Sequence, residues 1–488
     1  MHNSQQGLPF DLSFKRKCFW RNRSTYCRNL ISSEEQVSEI NMKFLQFALV
    51  VFMGMVFHAP LRAANLMDVY HEALERDAQY RSARAAYQAA QEKLPQGRAG
   101  LLPNITLSGN RSVQQVDASN VFNPQTGITA NPQAVTIQSG GVTLSATQPL
   151  FRVENFIIYE QSKIEVTQAD AQFVVAAQDL ILRVSQAYFA VLDAQVDVEV
   201  AEAQKQAILK QLEQAKRNFE VGVSTIVDTK EAQARFDLTI SQEIAARNGL
   251  EIKKRTLQGI IDRFPDYLAN PKEVVADLSK LKYATMDEWV SVAEEKNFTL
   301  KIQQAAYEIA TQEVKKIWAQ HYPTLDLVAQ YSDQIGVGGT ITGRGIDLTS
   351  KSIGLQLNIP LFQGFAIQSR VREALANRDR ALHDLENTRR NSTLQVRQQF
   401  LNVTNGIAQV RALKQALISS QSQLDSTIVG QEVGVRTEVD VLNAQQQLYS
   451  ARRDLAKAYH GYLMSRLRLS AEVGELDEEA LKQISNMF

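Results

Sequence analysis

Glu220-Val-Gly-Val-Ser-Thr-Ile-Val-Asp-Thr-Lys-Glu-Ala-Gln233 decides the fold, because the chain writes it twice. Its second copy is Glu432-Val-Gly-Val-Arg-Thr-Glu-Val-Asp-Val-Leu-Asn-Ala-Gln445, identical at nine of fourteen positions and displaced by 212 residues. Two further markers recur in the same order: Gln148-Pro-Leu-Phe151 with Ile359-Pro-Leu-Phe362, and Leu102-Pro-Asn-Ile-Thr-Leu107 with Tyr322-Pro-Thr-Leu-Asp-Leu327. Three ordered markers define a duplicated unit of about 210 residues.

Working outward from the repeat, each unit has one grammar. A helix (about 65–100, then 286–321) leads into two alternating segments, a very long helix, the glycine-containing turn and a return helix. No proline occurs from Leu150 to Phe264 or from Leu361 to the C-terminus, so nothing there interrupts a helix. Steps of four and three from Leu180 reach Val184, Ala187, Val191, Ala194, Val198, Ala201, Lys205, Ile208, Leu212, Ala215 and Phe219. All but Lys205 are apolar, which is a coiled-coil seam. In unit two Val396, Val403, Val410, Leu413, Leu417 and Leu424 hold the seam, and Gln399 and Ser420 interrupt it. A helix from about Glu154 to Phe219 is on the order of 100 Å long.

The alternating segments are expected at about 103–115, 135–151, 324–334 and 352–362. Val142, Leu144, Ala146, Gln148 and Leu150 share one face; so do Ile353, Leu355, Leu357, Ile359 and Leu361. Leu325, Leu327, Ala329 and Tyr331 repeat the pattern, as do Ile105, Leu107 and Gly109. Such segments suit either outer-membrane barrel strands or a soluble four-stranded sheet packed on the helices. In lipid, four strands cannot close and their edges cannot stay open, so several copies must each donate four. Two copies give a filled eight-stranded barrel; three give twelve strands and room for a pore. The stretches Asp117–Ala134 and Ile335–Thr349 read as long surface loops.

The 488 residues include 53 Lys and Arg, 53 Asp and Glu, and two cysteines. This balance gives no reason to expect nucleic acid as a partner, and the two cysteines exclude a disulfide scaffold. Residues 42–63 read as a signal peptide, with Lys43, an apolar run from Phe44 to Phe57 and a small residue at Ala63. Residues 1–41 read as a leader extension or a misassigned start. From Ala64 onward the chain has 45 basic and 49 acidic residues and no cysteine, which suits an oxidising envelope compartment.

No catalytic constellation, cofactor motif or metal-ligand spacing is visible. His58, His71, His321, His383 and His460 are scattered and read as solvated or belt residues. Gly336-Val-Gly-Gly339 lacks the lysine and helix of a phosphate loop and reads as a hairpin loop.

Asn65-Leu-Met-Asp-Val-Tyr70, Leu101-Leu-Pro-Asn104, Gln148-Pro-Leu-Phe151, Tyr188-Phe189 and the two Val-Gly-Val-x-Thr-x-Val-Asp turns together resemble the TolC family of outer-membrane channels. The resemblance spans about residues 64–475. It implies an α+β membrane protein: a homotrimeric twelve-stranded outer-membrane β-barrel, four strands per protomer, continued by a coiled-coil α-helical periplasmic barrel. Repeat 1 is then 64–285 and repeat 2 is 286–475, with belt segments at 264–288 and 474–488. It further implies a passive duct for type I protein secretion or multidrug efflux. Its partners would be a periplasmic adaptor, an inner-membrane ABC or proton-driven transporter, and outer-membrane lipid.

On that resemblance the turns form the periplasmic gate. Asp440, tripled about one axis, would make an anionic ring, and Arg436 would latch onto Asp228 of a neighbour. Both Asp residues also read simply as helix caps. Family members often carry Asp where this chain has Asn443, and Tyr where it has Gln431, so one ring and one latch are weakened; Glu438 could replace some charge. The adaptor-docking tips would be Val221, Gly222, Val223, Ser224, Thr225 and Val433, Gly434, Val435, Thr437. Pro103, Pro149, Pro323 and Pro360 mark strand-to-helix junctions. The rival reading is a soluble periplasmic coiled-coil adaptor, disfavoured because an adaptor needs one hairpin rather than two.

Overall fold

The structure is a computed structural model describing residues 64–116, 121–123, 125–130, 135–265, 268, 281–337 and 346–486. The expected leader and signal peptide (1–63), and much of the first belt segment, lie outside the described residues. Three short helices come first: α1 (Leu66–Arg76), α2 (Ala78–Gln91) and α3 (Lys93–Ala99). Strands β1 (Asn104–Val116), β2 (Val121–Asn123), β3 (Ile128–Ala130) and β4 (Val135–Phe151) lead to α4 (Val153–Glu220) and its return helix α5 (Ile226–Ile261). The second unit repeats the order with α6 (Met286–Lys296), α7 (Phe298–Ala319), β5 (Thr324–Val337), β6 (Ile346–Asn358), α8 (Ala366–Glu432) and α9 (Glu438–Val473). A last helix, α10, spans Glu478–Ser485.

Both leading helices are broken where the sequence suggested continuity. Asp77 ends α1 and caps α2, its carboxylate accepting from the Tyr80 N–H; Asn297 does the same between α6 and α7 for the Leu300 N–H. Neither is a proline or glycine. The breaks come from tertiary bonds: Arg183 of α4 donates twice to buried Asp77, and the Asn297 amide donates to Ser392 and to the Glu472 carbonyl.

Strands β1, β4, β5 and β6 form one antiparallel sheet in that order, leaving β1 and β6 as bare edges in a single chain. The register puts Ile105, Ala146, Ala329 and Ile353 in one row, with Thr106, Ser145, Gln330 and Ser352 on the opposite face. The apolar face is not packed on helices: Ile353, Leu355 and Leu357 are 76%, 66% and 61% exposed. That excludes a sheet packed on the helices and leaves an apolar face of the kind that lipid covers in a barrel.

Three strand boundaries differ from expectation. Strand β5 runs on to Val337 and β6 begins at Ile346, so both ends of the expected loop from Ile335 to Thr349 are strand. Ile359 to Phe362 leave the sheet, since Pro360 has no N–H to offer the ladder. Pro149 lies inside β4, where the register slips between Pro149 and Phe151, while Pro103 and Pro323 each precede a strand directly. In the first expected loop, β2 and β3 pair as a small hairpin.

The two long hairpins, α4–α5 and α8–α9, meet in the main core. Leu180, Val184, Tyr188 and Val191 of α4 pack there with Val396, Val403 and Val410 of α8 and Tyr459, Leu463 and Leu467 of α9. The first four seam positions of α4, Leu180, Val184, Ala187 and Val191, are therefore core residues, as their spacing dictates, whereas the last, Phe219, is exposed. Ser420, an expected interruption, is buried all the same.

Candidate functional site: the two helix-to-helix turns

Each turn is built by its local sequence. Helix α4 stops at Glu220, and Gly222 takes φ +77°, a left-handed conformation that glycine adopts without Cβ strain. The Val223 N–H donates to the Asn218 carbonyl (2.8 Å) and the Gly222 N–H to the Phe219 carbonyl (3.0 Å), a Schellman closure. The second turn repeats it: Gly434 at φ +79°, Val435 N–H to Gly430 (2.9 Å), Gly434 N–H to Gln431 (3.0 Å).

The return helices start with matching capping boxes. Thr225 is the N-cap of α5, and its N–H and hydroxyl both donate to Asp228 Oδ2, at 2.8 and 2.9 Å. Thr437 treats Asp440 Oδ2 alike, at 2.9 Å each. The cap reading of the two aspartates is thus structurally realised. It does not remove their charge: hydrogen bonds from the threonine N–H and hydroxyl hold both carboxyls below the usual carboxylate range, and for Asp440 the Arg436 charge adds to this.

Arg436 belongs to this geometry through a residue the sequence reading missed. A Cβ added at Gly430 would lie 2.7 Å from Arg436 Cγ, so the arginine stem crosses the last turn of α8 where only glycine leaves room. The first turn has Asn218 and Ser224 at the corresponding places, and the Ser224 hydroxyl is buried there. Asn443, one helical turn beyond Asp440, is exposed and lines a cavity of about 240 Å³ between α4, α5 and α9 with Gln211, Arg235 and Tyr449. Gln431 is half-buried, its carbonyl engaged in the turn. At the ends of the turns Val221, Val223, Val433 and Val435 stand exposed.

The junctions add a second missed set. Arg152, the residue before α4, forms a two-pronged pair with Asp326 of β5 at 2.8 and 2.6 Å, and Gln148 and Asn155 bond the backbone at Leu101 and Gly100. Around them Phe151, Phe156, Trp318, Tyr322, Phe362 and Phe365 are all exposed. His460 differs from its expected solvated or belt role. It is buried between the hairpins, with Nδ1 2.6 Å from Asp193 and its ring stacked on Phe189.

The profile of the family described as "Outer membrane efflux protein" matches residues 69–262 and 289–475, one stretch per repeat. The chain belongs to this family. Outer membrane protein TolC of Escherichia coli strain K12 is 31% identical over 440 residues, covering 88% of this chain and 86% of that protein. Alkaline protease secretion protein AprF of Pseudomonas aeruginosa is 32% identical over 430 residues, 87% of this chain and 88% of the relative. Among solved structures, the CmeC outer membrane channel of Campylobacter jejuni superposes with a TM-score of 0.70 over 87% of this chain and 89% of its own, at 17% identity. VceC of Vibrio cholerae does so at 0.66 over 84% and 96%, at 19% identity.

For this outer membrane efflux protein the fold class follows: a trimeric twelve-stranded barrel, four strands from each copy, continued by an α-helical barrel. It is an outer-membrane channel of an export system, with a large periplasmic part. The soluble adaptor reading is overturned by the lipid-facing sheet and by the family. Among the described residues no cluster of His, Cys, Asp and Glu is arranged to hold a metal.

Proposed function

We propose that three copies form a passive duct gated at the turns and docked there to a periplasmic adaptor and an inner-membrane pump. The observation that carries this is the sheet: an uncovered apolar face and two bare edges on hairpins about 100 Å long. Asp440, present once per copy, supplies an anionic ring that attracts cations and repels anions. Arg436, held over Gly430, reaches Asp228 of the next copy and keeps the entrance narrow. Asn443 adds no charge to the ring, and Gln431 supplies no tyrosine hydroxyl to the latch. The exposed valines of both turns give the adaptor an apolar tip to pack on.

AprF is named for alkaline protease secretion, and the Dickeya chrysanthemi relative, 29% identical, for proteases secretion; BepC of Brucella suis, named for efflux, is 22% identical. The nearer likeness to the first two supports a polypeptide cargo handed over by an ABC transporter; a proton-driven pump suits the efflux alternative. Single-channel recording in planar bilayers tests the gate: Arg436→Ala is expected to raise conductance, and unchanged conductance would sink the latch. A Ser224→Cys crosslink to the adaptor tests docking, and its absence in assembled complexes argues against contact at the first tip.

A further inference from the structure

Lys205 is the one charged residue among the twelve seam positions of α4, and the structure gives it a partner inside the hairpin. Its Nζ lies 2.5 Å from Glu243 Oε2 of α5, with the Glu243 side chain only 8% exposed. Arg247 completes the group, 2.8 Å from Glu243 and 2.9 Å from Glu202. These four charges join α4 to α5 on the order of 22 Å above the turn, at 1.5 Å per residue.

The duplication supplies an internal control. Shifted by 212, Lys205 becomes Leu417, Glu243 becomes Leu455, Arg247 becomes Tyr459 and Glu202 becomes Lys414. Leu455 belongs to the main apolar core, and Leu417, partly buried, packs against it. The same hairpin design therefore folds with leucines at these places, and the ion pair is not needed to hold two helices together. What a buried charge adds is discrimination between registers. An almost uniformly apolar seam looks alike after a slide along its axis, whereas sliding Lys205 away from Glu243 takes the lysine from its partner and leaves the buried carboxylate with only Arg247 of its own helix. The second hairpin has other marks, with Ser420 buried in its seam where the first has Ile208.

We propose that Lys205 and Glu243 are positioning residues for the first tip: they fix the axial register of α4 against α5 and hence the height of Val221–Thr225. The consequence for gating and docking rests on the duct reading; the register itself does not.

Thr229 and Ala215 report register, because the Thr229 hydroxyl donates to the Ala215 carbonyl at 3.4 Å, between the ion pair and the turn. From Ala64 onward the chain has no cysteine, so an Ala215→Cys/Thr229→Cys pair is an unambiguous probe. The yield of this disulfide in otherwise wild-type purified trimers is the reference. Adding Lys205→Leu with Glu243→Leu should keep the trimer but lower the disulfide yield by about half or more, and Lys205→Arg should keep the full yield. If the leucine pair does not assemble, Lys205→Met with Glu243→Gln is the substitute and carries the same expectation. Full yield in the assembled double variant, or loss of yield with Lys205→Arg, overturns the proposal. Wild-type trimers that conduct no ions in bilayers would defeat the duct reading instead, and leave the register result untouched.

Discussion

At the residue scale, Asp440 does two things that chemistry can separate. Its carboxylate closes the N-terminus of α9 through Thr437, and it carries the charge that the proposed ring needs. The bonds from Thr437 and the Arg436 charge depress its pKa, so both its cap contribution and its charge are present above the ordinary carboxylate range and are lost as pH falls below it. Cation preference, read from reversal potentials, is therefore expected to persist into more acidic solution than an unassisted aspartate would allow. Thr437→Ala should shift that titration upward, while Asp440→Asn should abolish it and weaken the capping box. A preference that fades at the same pH in Thr437→Ala as in wild type would separate the cap from the charge. Gly430→Ala tests the neighbouring contact: its Cβ displaces the Arg436 stem, so closed-state conductance should rise as it does for Arg436→Ala. The turn motif was legible from glycine, threonine and aspartate alone, since each does a local job. Gly430 was not, because its neighbour across the turn lies six residues away and only the folded backbone brings them together.

At the element scale, the seam was readable and the breaks were not. A period of four and three residues has one physical meaning, and Leu180, Val184, Val191, Val396, Val403 and Val410, which it selected, are core residues. Asp77 and Asn297 lie inside otherwise helical patterns, with no local signal strong enough to stop a helix. Their breaks depend on α4 and α8 arriving from more than ninety residues away. For Asp77, burial alone would raise the pKa; the Arg183 side chain and the Tyr80 N–H outweigh it and hold the group low. Its stabilising contribution is therefore full at neutral pH and declines as pH falls through the carboxylate range. Asp77→Ala removes the buried one of Arg183's two carboxylate partners, Asp179 at 2.7 Å being the other, and should cost roughly 1–3 kcal/mol, measured as a fall in the unfolding midpoint at neutral pH. Asp77→Asn, which copies the second repeat's Asn297, should keep the cap and cost less. Equal losses in the two variants would mean that the cap contributes nothing beyond the Arg183 pair.

At the scale of the whole molecule, the alternating segments could be read as strands, but not as lipid-facing ones, because alternation describes one strand and lipid exposure describes a sheet. The register supplies the missing step. Ile105, Ala146, Ala329 and Ile353 form one row across all four strands, and Thr106, Ser145, Gln330 and Ser352 form the row behind it. The exposed aromatic residues collect where strands give way to helices, beside the junction prolines, as an interfacial girdle requires. One face thus meets hydrocarbon and the other faces the barrel interior, so adjacent residues of β6 should respond oppositely to the same charge. Ile353→Arg places a guanidinium in lipid at a cost of about 2–4 kcal/mol per copy near the midplane. Three copies repeat that penalty in one barrel, so the fraction of heat-resistant trimers in the outer-membrane fraction should drop sharply. Ser352→Arg puts the same side chain into the lumen and should leave trimer yield near wild type while altering conductance. If both variants assemble equally well, or if Ser352→Arg is the worse, the lipid face has been assigned to the wrong side of the sheet.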